Sequence, residues 1–472
     1  MRKVMQILKK IIIFLIIIII FIQFLRAYIY NRVAPELKKW HEKSSYKEPD
    51  YKEFKTVEEY LLAENRFLKD VFSEVEVNSK DNLTRFSKNG ILSSLDKDGN
   101  NINSSFEMIP ENIKGGVLLL HGLTDSPFMM RDIAKIFYEN GYYVLGLRYK
   151  YHGTYPGELV KVSQKDFEDA AIFGSKMIKE KLKDIKNSEF YMVGFSTGAA
   201  ATLQYITSSI REDKELPKPE KVFWLSPAMG VSPAAKFGFL DSWVSLIPYF
   251  KKFQWLDINP EYDPAKYNSF PKNSGIQVYY LIKKAKINFM KLSKKEKAEL
   301  PPIYSYTSLV DSTVLDKDLY DIFFKMENSE NKLVIFDINR KFEEFFKPNL
   351  INLNLRDEAL DLDFKFNVSF ISNYNTKKDD MVGILNYYQG KFYEEKDTGL
   401  KWNESNFSLS HVSIPISPEN SIYGKHSILG DLKLKGENNA LYLSPNLLYR
   451  IRYNEFFEYI EEDIKNTLKK NN

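Results

Sequence analysis

Residues 189–201 read Glu-Phe-Tyr-Met-Val-Gly-Phe-Ser-Thr-Gly-Ala-Ala-Ala. The centre, Gly194-Phe195-Ser196-Thr197-Gly198, has the Gly-x-Ser-x-Gly spacing of a serine lifted on a sharp, strained strand-to-helix turn. Glycines are needed where side chains would collide with the neighbouring strand and helix. The helix N-terminus behind the serine favours developing negative charge. The same pattern also describes an ordinary turn whose serine caps a helix. The setting argues for a nucleophile: Met192 and Val193 close an apolar strand, and three alanines after Gly198 open a helix.

A serine hydroxyl is a weak nucleophile until a base removes its proton, and the base needs an orienting carboxylate. In sites built on such a turn the chain order is Ser, acid, His. Of the five histidines, His41, His121, His152, His411 and His426, only the last two follow both Ser196 and a suitable acid. His411 lies in a loop-like segment, Leu409-Ser410-His411-Val412-Ser413-Ile414-Pro415, and is assigned as the base ahead of His426, whose Gly424-Lys425 setting reads as exposed. Asp311 ends an apolar strand and is assigned as the acid, with Asp337 at the end of the next strand as runner-up. Asp316 and Asp318 read as first-turn helix residues, where negative charge is favourable anyway.

An oxyanion needs backbone N–H donors, each contributing about 3 to 4 kcal/mol in comparable sites. One is assigned to Thr197, directly after the nucleophile. The other is assigned to Leu123 in the turn His121-Gly122-Leu123-Thr124-Asp125-Ser126-Pro127. His121 then shapes the turn and is not the base. Phe128 and Met129, just beyond, are expected to wall a substrate acyl pocket.

These residues need a scaffold that brings strand ends together. From residue 115 apolar strands and amphipathic helices alternate: strands at 116–120, 142–148, 189–195, 221–225, 302–309 and 333–337, with helices at 127–140, 164–183 and 315–326. Such alternation predicts an α/β fold with a mostly parallel sheet covered by helices on both faces, its active residues at the carboxyl ends of the strands. Two stretches interrupt it. Residues 229–300, rich in aromatics and ending in a lysine-rich segment, are expected to form a cap. Residues 341–410 are expected to form a β-rich insertion, with Leu360, Leu362, Phe364, Phe366, Val368 and Phe370 alternating with polar residues as a half-buried, antiparallel-type strand. Before the alternation, Thr56-Val57-Glu58-Glu59 has capping-box spacing and opens a helix.

The chain has 472 residues, 44% hydrophobic, with 67 basic and 63 acidic residues for a net charge of +4 and no cysteine. That balance carries no nucleic-acid signature, and disulfides, thiolate metal sites and cysteine nucleophiles are excluded. No metal or cofactor is expected. Residues 11–25 are uncharged and apolar, preceded by Arg2, Lys3, Lys9 and Lys10. They predict one transmembrane anchor, lengthened by snorkelling lysines, with the basic end in the cytoplasm and the body extracytoplasmic. The competing reading is a cleaved signal peptide, for which no convincing site exists: Ala34 is followed by Pro35. The expected organisation is therefore a basic end and anchor (1–30), a stalk and helix (31–80), and a catalytic body (81–472).

His121-Gly122-Leu123 with Asp125-Ser126-Pro127, the turn at 194–198, Val310-Asp311-Ser312-Thr313-Val314 and Ser410-His411-Val412 together resemble the α/β-hydrolase superfamily. The nearest group is that of monoacylglycerol lipases and carboxylesterases, of serine aminopeptidase or lysophospholipase type. Tyr151-His152-Gly153-Thr154 resembles that group's Gly-His-Gly-Thr loop, with Tyr151 at the first glycine. The resemblance covers about 115–465, and the long insertion before His411 departs from it. Pro260-Glu261-Tyr262-Asp263-Pro264 and Arg452-Tyr453-Asn454-Glu455-Phe456-Phe457 are similar to membrane-anchored bacterial hydrolases that carry this insertion. The resemblance implies hydrolysis of small-molecule or lipid esters through an acyl-serine. An acyltransferase on the same triad, or a non-catalytic binding protein on the same fold, are the alternatives.

Overall fold

The computed structural model describes residues 2–77, 83–212, 214–230, 238–311, 316–338, 365–373, 381–388, 391–403, 406, 408–430 and 451–469. The apolar N-terminal run forms α1 (Arg2–Val33), long and apolar enough to cross a membrane, its most apolar window free of burial against the body. Thr56 accepts from the Glu59 N–H at 3.2 Å and opens α2 (Val57–Val75). The body then runs β1 (Phe106–Met108), β2 (Gly115–Leu120), α3 (Arg131–Glu139), β3 (Tyr142–Leu147), α4 (Gln164–Leu182), β4 (Glu189–Phe195), α5 (Thr197–Arg211) and β5 (Lys221–Leu225).

The stretch expected as a cap holds α6 (Gly238–Val244), the short pair β6 (Trp255–Asp257) and β7 (Phe270–Pro271), α7 (Lys272–Lys291) and α8 (Lys294–Ala298). Alternation resumes with β8 (Ile303–Ser308), α9 (Asp316–Phe323) and β9 (Lys332–Asp337), followed by β10 (Asn367–Ser372), β11 (Met381–Tyr388), β12 (Lys391–Lys401) and α10 (Phe457–Lys469).

The main sheet has the order β1-β3-β2-β4-β5-β8-β9-β10-β11-β12. From β3 through β10 every pair is parallel, and β1, β11 and β12 join antiparallel at the two edges. Strands β2 and β4 lie side by side while the chain visits β3 on the far side of β2, so the strand order reverses between them. That is the switch point where an open α/β sheet leaves a crevice outside its carboxyl ends. Leu118, Leu120, Met192 and Trp224 face one core, shared with α4, α5, α7 and α9; Val117, Leu119, Val193 and Phe223 face the other, shared with α3 and α10.

Three expectations are corrected. The alternating stretch is not a half-buried antiparallel strand: β10 pairs parallel with β9 and only its other edge pairs antiparallel, and Val368 to Ser372 are buried throughout. Ser369 looks solvent-facing by type, yet its hydroxyl is buried on Asn386 Oδ1 at 2.6 Å. Residues 360–364 lie outside the described residues. The helix expected from residue 127 begins as a 3₁₀ turn, Pro127–Met130, before α3. Finally, the chain between α1 and α2 does not stand clear of the body as a stalk would. Tyr51 is buried and donates to Arg148 O at 2.6 Å, and His41 is buried on Ser269 Oγ at 3.0 Å.

Candidate active site

Ser196 leaves β4 with φ 52° and ψ −115°, a left-handed conformation that costs an L-residue about 1 to 3 kcal/mol. The glycines around it permit the approach. A Cβ on Gly194 would sit 2.5 Å from Ala199 N, and one on Gly198 would sit 2.1 Å from Leu120 O. The Ser196 N–H donates to Leu225 O at 2.9 Å, and Ser196 O accepts from the Ala228 N–H at 3.1 Å, so the end of β5 holds the turn on both sides. The side chain makes no capping bond to α5, which removes the ordinary helix-cap explanation for this serine.

The turn after β2 lies against the serine: a Cβ on Gly122 would stand 3.1 Å from Ser196 Cβ and 3.4 Å from the Phe195 ring. Among the described residues the Leu123 N–H has no hydrogen-bond acceptor. Thr197 is the first residue of α5, so its N–H has no carbonyl one turn earlier to bond. His121 is fully buried, its Nδ1 on Gly122 O at 2.8 Å and its Nε2 accepting from the Tyr149 N–H at 3.2 Å. Burial, followed by the neighbouring His152, holds it far below the usual imidazole range. With both nitrogens engaged and no proton affinity to spare, it shapes the turn.

His411 begins a short 3₁₀ turn, His411–Ser413, and is 5% exposed. Its Nδ1 meets Asp311 Oδ2, so Nδ1–H donates to the carboxylate and Nε2 is left as the acceptor. The His411 ring lies 5.5 Å from that of Phe195, the residue before the serine. Strand ends fix the loop: Ser226 Oγ donates to His411 O at 2.9 Å and Ser308 Oγ donates to Leu409 O at 2.7 Å. Asp311 itself follows β8, its N–H on Ser308 O at 3.2 Å. Asp337, the runner-up acid, does not meet His411, and His426 is exposed.

Phe128 and Met129 are buried in the second core, with the Phe128 ring 6.2 Å from Tyr423. An open cleft of about 570 Å³ starts at Met229 and Gly230, just past Ala228, and is lined by Tyr279, Ile282 and Lys286 of α7 and by Asp318. Several supports escaped sequence reasoning. Lys266 reaches Asp125 Oδ1 at 2.6 Å, and the Tyr267 N–H donates to Thr124 O at 2.9 Å, so the segment between β6 and β7 holds the turn beside Ser196. Buried Asp263 pairs with Arg452, joining the two segments that the family resemblance had singled out separately. Ser226 was visible only as a strand end without a carboxylate. Among the described residues no three His, Asp or Glu gather as metal ligands.

A mostly parallel sheet in this order, with a left-handed serine turn after a central strand and a His–Asp pair at later strand ends, has the α/β-hydrolase architecture. No family model matches the chain. It is 32% identical over 93 residues to the thermostable monoacylglycerol lipase of Bacillus sp. (strain H-257), a match covering 20% of this chain and about a third (35%) of that relative's length. Among solved structures it is similar to one of the metagenome-derived lipolytic enzymes LipS and LipT, at 18% identity over 49% of this chain and 86% of that one, with a TM-score of 0.38. It is also similar to the Paleococcus ferrophilus monoacylglycerol lipase (16% identity, 47% and 84% covered, TM-score 0.33). The third is a soluble variant of the Saccharomyces cerevisiae monoglyceride lipase (12% identity, 49% and 81% covered, TM-score 0.37).

Proposed function

We propose that the chain is a membrane-anchored serine hydrolase of carboxylic esters, with Ser196 as nucleophile, His411 as general base and Asp311 as its orienting carboxylate. The observation that carries this reading is the His411–Asp311 contact beside a serine held at positive φ. Ser196 Oγ attacks the ester carbonyl carbon as His411 Nε2 takes the hydroxyl proton. The tetrahedral oxyanion is received by the N–H groups of Leu123 and Thr197. Collapse expels the alcohol, which takes the proton from His411 and leaves an acyl-serine. Water, deprotonated by the same Nε2, then releases the acid and restores Ser196. Local similarity to a monoacylglycerol lipase supports an apolar acyl group. Arg2, Lys3, Lys9 and Lys10 in the first turns of α1, ahead of its uncharged run, favour a cytoplasmic N-terminus and an extracytoplasmic body.

Hydrolysis of short-chain p-nitrophenyl esters by the full chain tests the assignment. Ser196→Ala and His411→Ala are expected to remove turnover in proteins that keep their fold by circular dichroism, and Asp311→Asn to lower kcat by about 10⁴. His426→Ala is expected to behave as wild type. Turnover that survives His411→Ala and is lost in His426→Ala would overturn the base assignment.

A further inference from the structure

The part of the cap nearest α1 has an unusual surface. Between residues 243 and 256, Trp243 and Leu246 are each 79% exposed, Leu256 57%, Tyr249 56% and Ile247 42%. These large apolar and amphipathic side chains lie close together in sequence around α6 and the following 3₁₀ turn, Pro248–Gln254. Contiguous exposed apolar surface of this kind marks an interaction face. The other four tryptophans contrast with it: Trp224, Trp255 and Trp402 are buried, and Trp40 packs 5.2 Å from Phe86.

The same segment grips the end of α1. Ala27 is fully buried against Val244 and Phe253. Phe24 lies 5.6 Å from Phe250, Tyr30 lies 6.0 Å from Phe253, and Tyr30 Oη donates to Leu256 O at 3.3 Å. Arg26 pairs with Asp241 at 3.4 Å, and Lys252 donates to Ala34 O at 3.2 Å. The contact begins at Phe24, where the uncharged run ends, and continues through residue 34. It therefore sits at the level where a spanning helix leaves the hydrocarbon and enters the headgroups.

We propose that the face carrying Trp243, Leu246, Ile247, Tyr249 and Leu256 seats against the headgroup boundary of the bilayer that α1 crosses. The inference rests on reading α1 as a span. Its occupant is a lipid surface, because the patch is continuous with the spanning helix and combines tryptophan, tyrosine and aliphatic side chains. Tryptophan and tyrosine settle at membrane interfaces, where their rings meet both apolar and wet surroundings. The chain of contacts reaches the chemistry. The segment that follows the patch carries Lys266 and Tyr267, which hold the turn beside Ser196. Seating the patch thus fixes at the membrane surface the end of the body whose chain leads directly into the residues that hold the serine-side turn.

The test is tryptophan quenching in the full chain, reconstituted into phosphatidylcholine vesicles with or without bromine on the acyl chains near the headgroup. The expected result is co-flotation with the vesicles and a loss of emission on bromination that disappears in Trp243→Phe. Co-flotation without Trp243-dependent quenching would overturn the seated patch and leave the anchor standing. Failure to co-float would overturn the anchor and the patch together. With no native cysteine, Leu246→Cys gives a single thiol. Disulfide-linked dimers through it, with Trp243 unquenched, would assign the face to a second copy of the chain and overturn the lipid assignment.

Discussion

His41, His121 and His152 are buried: His121 bridges Gly122 O and the Tyr149 N–H, His41 bridges the Lys38 N–H and Ser269 Oγ, and His152 meets Lys150 O through Nδ1. Burial lowers His152 to about 3, with Nδ1 on Lys150 O at 3.0 Å, and lowers His41 to about 4. The unfolded chain binds these protons near pH 6.5 while the folded chain refuses them. The stability these histidines contribute is therefore full above about pH 6.5 and falls as the pH drops toward 4. His152 alone should withdraw about 2 kcal/mol or more by roughly pH 4.5. In thermal unfolding of the full chain in detergent between those values, His152→Asn should remove up to about one proton from the pH slope. An unchanged slope in that variant would contradict the assignment. Residue type alone could not separate these histidines from His411. What separated them was order along the chain relative to Ser196, and that argument selected the histidine that meets Asp311. The side chains that tie the site to its surroundings, Lys266 on Asp125 and Ser308 on Leu409 O, were invisible because their partners are more than 100 residues away.

The elements that set the site are those with the plainest patterns. The apolar runs predicted at 116–120 and 221–225 appear as β2 (Gly115–Leu120) and β5 (Lys221–Leu225), since a strand buried on both faces tolerates little else. The elbow was legible for the same reason: α5 packs so closely on β4 at Gly194 and on β2 at Gly198 that only glycine fits at either position. Gly198→Ala places a methyl 2.1 Å from Leu120 O and must push α5 away from β2, moving the Thr197 N–H with it. The expected cost is about 1 to 3 kcal/mol of stability together with loss of ester turnover. Gly99 at φ +81° has nothing within 4 Å of an added Cβ. Gly99→Ala should thus cost stability through backbone strain alone, about 1 kcal/mol, and leave turnover intact. Equal activity losses in the two variants, measured beside their melting curves, would argue against a positional role for the elbow glycine. The register of β10 was not legible, because Ser369 is polar by type but satisfied inside the sheet by Asn386.

Over the whole molecule, the N-terminal segment is bound to the body by charge as well as packing. Arg148, fully buried, meets Glu48 and reaches Glu64 through Nε at 2.9 Å, and Glu64 also accepts from the Ser105 N–H at 2.6 Å. Glu64 lies on the buried face of α2, and helical spacing does not reveal a counter-ion 84 residues away. The stretch 229–300 was legible as an interruption of the α/β alternation. Its packing onto α1 at one end and onto the serine-side turn at the other was not, since both depend on tertiary contacts between distant segments. These parts converge on Ser196 as an activated nucleophile. Labelling of the full chain with a fluorophosphonate probe, followed by peptide mapping, tests it most directly. The account predicts a single adduct on Ser196 that is absent from Ser196→Ala and suppressed in His411→Ala. No adduct on folded protein in detergent and in vesicles, or an adduct on another serine, would contradict it.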